Sequence, residues 1–162
     1  MISVLVRVDH GVEALAVTLS ALVPAVADGL LADAVILARA PSDALERVAD
    51  AVGATLVIDP SGGWSQGARA AKRDWVLCLA DGDVPTEGWI RALDRFIALS
   101  PPDRLFGRLR RPRSLADRAR TLVAPGGVRA GDLVHRSLLL EPRRPARPQR
   151  VAAAIVRDPV FG

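Results

Sequence analysis

Four short apolar runs alternate with helical stretches through the first hundred residues, and that alternation limits the fold more than any other feature. Residues 2–8, 33–39, 54–58 and 74–80 are rich in Val, Ile and Leu and too short for ordinary helices. They read as strands buried on both faces. Between them, residues 13–27, 41–52 and 64–72 carry helical spacing or small residues, and a fourth helix is predicted over 86–99. Leu15, Leu19, Leu22 and Val26 mark the inner face of the first helix, which Pro24 is expected to end or bend. Trp89, Leu93, Phe96 and Ile97 form the inner face of the fourth. Strand and helix in strict alternation predict an α/β fold, a mostly parallel open sheet with helices on both faces.

Ligands of such sheets sit at the carboxyl ends of the strands. Residues 7–10, 39–43, 59–63 and 81–83 are therefore the places to look for function. Beyond residue 100 the pattern weakens. Residues 105–109 and 132–140 suit a strand or a short helix, and 151–157 (VAAAIVR) reads as a last buried strand. The expected organisation is one domain, with an α/β half over 1–100 and an Arg/Pro-rich part over 101–162 that completes it and is partly flexible.

Charge divides at the same place. Residues 1–100 carry a net −5 and residues 101–162 a net +9, its basic residues all arginine. A basic segment over 104–150 suggests an anionic membrane surface or a partner enzyme, or simply a solvated tail. Arg108, Arg110, Arg111 and Arg113 are candidates for holding a diphosphate, with solvent exposure the expectation for most of them. Aromatics make up 4% of the chain and tyrosine is absent, so stacking platforms for nucleic acid have little to be built from. By that measure nucleic acid is not an expected partner. The single Cys78 excludes a disulfide framework and a cysteine-based zinc site. No secretory or membrane-spanning stretch is recognisable, which predicts a cytoplasmic protein, peripheral to a membrane at most.

Asp81-Gly82-Asp83 is the sharpest local feature. Two carboxylates one residue apart, just past a buried strand, suit a hard cation such as Mn²⁺ or Mg²⁺ bridging to a diphosphate. The same residues also suit an ordinary turn that caps the next helix. His10 and His135 are the only histidines, and each reads either as a ligand contact or as a structural or solvated residue. The dinucleotide fingerprint GxGxxG, the P-loop and the GxSxG elbow are all absent, which excludes the enzyme classes built on them.

The order of elements, together with 15–29 (LAVTLSALVPAVADG), 44–55 (ALERVADAVGAT) and 67–89 (GARAAKRDWVLCLADGDVPTEGW), resembles family-two glycosyltransferases of the GT-A fold, small bacterial members above all. The resemblance covers residues 2–99. It implies transfer of a sugar from a nucleoside diphosphate to an acceptor hydroxyl, with a divalent metal, Mn²⁺ or Mg²⁺, neutralising the leaving diphosphate. It places Val8, Asp9, Arg39, Gly67 and Asp81 at the nucleotide sugar and the metal on Asp81 and Asp83. The family's base-binding aspartate at the second strand end is replaced here by Ala38-Arg39-Ala40-Pro41. The aspartate pair matches the family's only with a one-residue slip. A non-catalytic module of the same fold and a nucleotidyltransferase are the alternatives.

Overall fold

A computed structural model describes residues 1–100, 105–111, 127–141 and 147–161. Its elements in chain order are β1 (Ile2–Arg7), α1 (Val12–Ala27), β2 (Leu31–Ala38), α2 (Asp43–Val52), β3 (Thr55–Ile58), α3 (Trp64–Ala70), β4 (Trp75–Ala80) and β5 (Asp83–Pro85). There follow α4 (Trp89–Leu99), β6 (Phe106–Arg110), β7 (Asp132–His135), a one-turn α5 (Ser137–Leu140), β8 (Gln149–Arg157) and a 3₁₀ turn (Pro159–Phe161).

The strands form one curled sheet in the order β3-β2-β1-β4-β7-β6-β8-β5. β3, β2, β1 and β4 run parallel, as their helical crossovers require. β7 then enters antiparallel between β4 and β6, β8 returns parallel to β6, and β5 lies antiparallel on β8. The strands after residue 100 therefore extend the sheet begun by the first hundred residues.

Alternation along the central strands supplies both faces. Val4 and Val6 of β1 with Leu77 and Leu79 of β4 pack under α1, α2 and α4, through Leu15, Leu22, Leu45, Trp89 and Leu93. Leu5, Val76 and Cys78 point the other way, toward Trp64 of α3 and Leu138 of α5. Gly67 of α3 faces this second layer. A Cβ there would stand 2.9 Å from one methyl of Leu37 and 3.1 Å from Leu5, so only glycine lets the helix lie this close.

Several local expectations are corrected. α1 runs through Pro24 to Ala27 and buries Ala14, Leu15, Thr18, Leu22 and Ala25, while Val26 is exposed. Near a helix end a proline removes one bond only, and the Asp28 N–H still closes on the Pro24 carbonyl. α4 begins at Trp89, three residues late, because Gly88 at φ +80° turns the chain into it. Residues 132–140 hold a strand and a helix turn in succession. β8 is half-buried, with Val151, Ala153 and Ile155 inward and Val156 exposed. The stretch after β4, expected as a loop, contains the short strand β5.

Asp132 opens β7 beside Cys78 and is fully buried. Arg108 grips it with Nε at 2.6 Å and Nη2 at 2.8 Å, and the Arg129 N–H adds a third bond at 2.9 Å. Burial nevertheless raises its carboxyl above the ordinary 3.8, outweighing these bonds. The folded chain thus binds this proton more tightly than the unfolded chain. The stability so gained is complete below 3.8 and is lost as pH rises through the folded value. Denaturant unfolding of wild type and Asp132→Asn across about pH 3 to 7 should show the variant gaining on wild type as pH rises.

Candidate functional site

The carboxyl ends of β1 and β4 lie side by side, Arg7 opposite Ala80, so the residues after them meet at one corner. Gly82 makes the turn there. It has φ +80°, and a Cβ would stand 3.2 Å from that of Phe161. Its N–H donates to the Ala14 carbonyl of α1, and its own carbonyl accepts from the Asp158 N–H. This holds the Asp81-Gly82-Asp83 turn between α1 and the end of the described chain.

Asp81 is fully buried. Its Oδ2 accepts the backbone N–H groups of Asp9, His10 and Gly11 at 3.0, 2.5 and 3.1 Å. Its Oδ1 lies 2.9 Å from His10 Nδ1. A carboxylate only accepts, so this ring nitrogen carries the proton. Asp81 thereby shapes the loop from β1 into α1. Arg157 at the end of β8 reaches the same place: its Nη2 donates to His10 Nε2 and to the Asp81 carbonyl, each at 3.3 Å. Its Nε is buried with no partner among the described residues.

Asp83, also fully buried, turns back to accept the Ala80 N–H at 2.8 Å through Oδ2. Its Oδ1 pairs with Arg111 Nη2 at 2.5 Å. Burial raises the Asp83 carboxyl above its ordinary value, against the pull of Arg111, the Ala80 N–H and Arg157.

Asp9 lies at the mouth of the corner. It binds Arg7 Nε at 2.9 Å and stands 3.7 Å from Arg39 Nε, and Arg7 lies over the Trp64 ring at 5.0 Å. Val8 donates its N–H to the Leu37 carbonyl and packs partly buried on the core. The structure therefore brings Asp9, Arg39, Asp81 and Asp83 to adjoining strand ends, with Val8 beside them. Gly67 sits beneath, in the packing of α3. Arg113 lies outside the described residues, Arg108 is committed to Asp132, and Arg110 is exposed. His135 bonds Ser137 at 2.8 Å, as a structural histidine.

One participant, Arg157, was not singled out from sequence, whereas His10 and Asp59 lie within the strand-end stretches 7–10 and 59–63. His10 and Arg157 meet across 147 positions, a distance no motif spans. Asp59 follows β3, next to the strand whose end lacks the family's aspartate. Its Oδ1 accepts the Ser61 N–H and hydroxyl, and its Oδ2 is buried without a partner among the described residues. The Ser61 hydroxyl is the main cause of its lowered pKa.

Removing the Asp81 side chain strands three backbone donors. Asp81→Ala should lower the unfolding free energy by about 3 kcal/mol. Asp9→Ala, which breaks only half-exposed ion pairs, should lower it by less than about 1 kcal/mol in the same urea titration.

No protein-family model matches the chain, and no curated protein matches it. Solved structures do. Glucosyl-3-phosphoglycerate synthase from Mycobacterium tuberculosis, in complex with Mn²⁺, UDP and glucosyl-3-phosphoglycerate, superposes with a TM-score of 0.63 at 18% identity, over 85% of this chain and 57% of that one. Its complex with Mn²⁺ and UDP-glucose gives 0.62 at 19% identity, with the same coverage. The mannosyltransferase PcManGT from Pyrobaculum calidifontis, with GDP-Man and Mn²⁺, gives 0.54 at 15% identity over 68% of this chain and 35% of that one. The chain thus spans little more than half the length of the synthase. At such identities the likeness is one of fold, and the fold is that of GT-A-type glycosyltransferases.

Proposed function

We propose that this chain binds a nucleoside-diphosphate sugar at the corner between β1 and β4 and transfers the sugar to an acceptor. The observation that carries this reading is the Asp81-Gly82-Asp83 turn, fixed to the β1 loop by three N–H bonds at the carboxyl end of a GT-A-type sheet. In this reading Val8, Asp9 and Arg39 face the nucleoside. Asp81 sets the loop that receives it, and Gly67 acts by letting α3 seat close beneath.

A divalent cation, Mn²⁺ or Mg²⁺, belongs to the same reading. Small hard cations need one or two protein carboxylates when substrate phosphates complete the shell. The donor set suits that arrangement. Asp83 Oδ1 already carries a cationic stand-in, the Arg111 guanidinium, and Asp81 Oδ1 has one partner and a spare lone pair. No group of three or more His, Cys, Asp or Glu side chains arranged for a metal occurs among the described residues, so phosphate oxygens would supply the rest. The cation would neutralise charge on the departing diphosphate.

One observation favours a second reading, a non-catalytic module of the same fold: Asp81 and Asp83 already have partners within the chain, three loop N–H groups and Arg111. Docking of the arginine-rich 104–150 region on an anionic surface or a partner enzyme would fit either reading. Of its described arginines, Arg108, Arg111, Arg129 and Arg136 have partners within the chain, while Arg110, Arg147 and Arg150 are exposed. Among the described residues, no helix is long and apolar enough to cross a membrane.

Thermal unfolding with UDP, GDP and their sugars, each with Mn²⁺, Mg²⁺ or EDTA, tests the proposal. A ligand at 100 times its dissociation constant stabilises the fold by about 2.7 kcal/mol. The expected outcome is a shift with one nucleotide that Asp83→Ala abolishes. Absence of any shift refutes donor binding. Nucleotide release from the bound sugar donor then separates transfer from binding alone, and pyrophosphate release from a nucleoside triphosphate would indicate nucleotidyl transfer instead.

A further inference from the structure

Asp83 is neutralised in an unusual way for a carboxylate read as a metal ligand. It is fully buried, whereas its partner Arg111 keeps 22% of its side chain exposed, so the pair opens to water from the arginine side. The charged groups acting on Asp83 among the described residues are Arg111, Arg157 and Asp81. A guanidinium therefore stands where a cation would otherwise balance the charge.

A divalent ion and Arg111 compete for Oδ1. Both together would bring three positive charges, with Arg157 a fourth, against Asp81 and Asp83, and like charges this close repel strongly. A diphosphate changes the balance. Its oxygens accept the planar fork of a guanidinium and also complete the shell of a small divalent cation. Arg157 is tied to His10 Nε2 and to the Asp81 carbonyl, which leaves Arg111 as the guanidinium free to change partner.

We propose that Arg111 is an exchangeable counter-ion: it holds Asp83 while no donor is bound, then passes to the incoming diphosphate and frees Asp83 for the divalent cation. Nucleotide and metal then bind as a coupled pair, and neither Mn²⁺ nor Mg²⁺ occupies the site appreciably alone. Arg111 is on this account a positioning residue, and the inference rests on the donor-binding reading above.

Mn²⁺ binding, followed by the electron paramagnetic resonance signal of the free ion, tests the exchange without any turnover. Wild type, Arg111→Ala and Arg111→Gln are titrated alone and with UDP or GDP, and the Mn²⁺–nucleotide complex formed without protein is subtracted. Glutamine keeps a neutral donor toward Asp83 and serves if the alanine variant does not fold. Wild type should bind Mn²⁺ about tenfold or more tightly when nucleotide is present, within the 5–150-fold range usual for coupled sites. Arg111→Gln should bind Mn²⁺ about tenfold more tightly than wild type in the absence of nucleotide. Unchanged nucleotide-free Mn²⁺ affinity in a folded variant overturns the exchange. Equal binding of nucleotide to wild type in Mn²⁺ and in EDTA overturns it as well, and makes Arg111 a permanent substitute for the metal. If no nucleotide binds any form but the variants still gain Mn²⁺, the competition for Asp83 stands and the donor reading falls.

Discussion

One carboxylate ties the corner together. Asp81 comes from the end of β4 and takes three successive N–H groups of the loop that leaves β1, together with the imidazole of His10. Charged acceptors of backbone N–H groups are among the stronger hydrogen-bonding arrangements in proteins, and burial sharpens them. The loop's path into α1 follows from this contact. So does the position of Asp9, and with it the pairing of Asp9 with Arg7 and Arg39. The first aspartate of the Asp-Gly-Asp motif thus does a structural task, while the second pairs with Arg111.

Charge balance explains the form of the rest. Asp81, Asp83 and Asp132 are all fully buried, and burial of an unpaired carboxylate would be severely unfavourable. Each has a cationic or N–H partner: Arg108 for Asp132, Arg111 for Asp83, the loop N–H groups for Asp81. The arginine excess after residue 100 is therefore partly an internal supply of counter-ions to the acidic first hundred residues. At this corner one such pair, Arg111 with Asp83, joins the −5 and +9 halves, whereas Arg108 and Asp132 both lie after residue 100.

Much of the fold was legible because it rests on local pattern. The four strands of the first hundred residues and their helices follow from apolar runs and spacing, which depend on near neighbours alone. Failures came where long-range contact decides. Val26 has helical spacing yet lies exposed, while its neighbour Ala25 is buried. β5 is three residues long and exists only because β8 pairs with it. The stretch 132–140 holds too few residues to choose between strand and helix, and β4 and β6 on either side settle its first half as a strand.

The sequence by itself determined the α/β alternation, the strand ends at which a ligand would sit and the Asp81-Gly82-Asp83 motif, because these follow from spacing within a few residues, while Asp9 and Arg39 became candidates through the family resemblance. Only the tertiary structure decided what each aspartate does. It joined His10 to Arg157 and Asp83 to Arg111, pairs separated by 147 and 28 positions. A buried charge takes whichever partner the folded chain brings within about 3 Å, and that choice is made by topology, which no local pattern records.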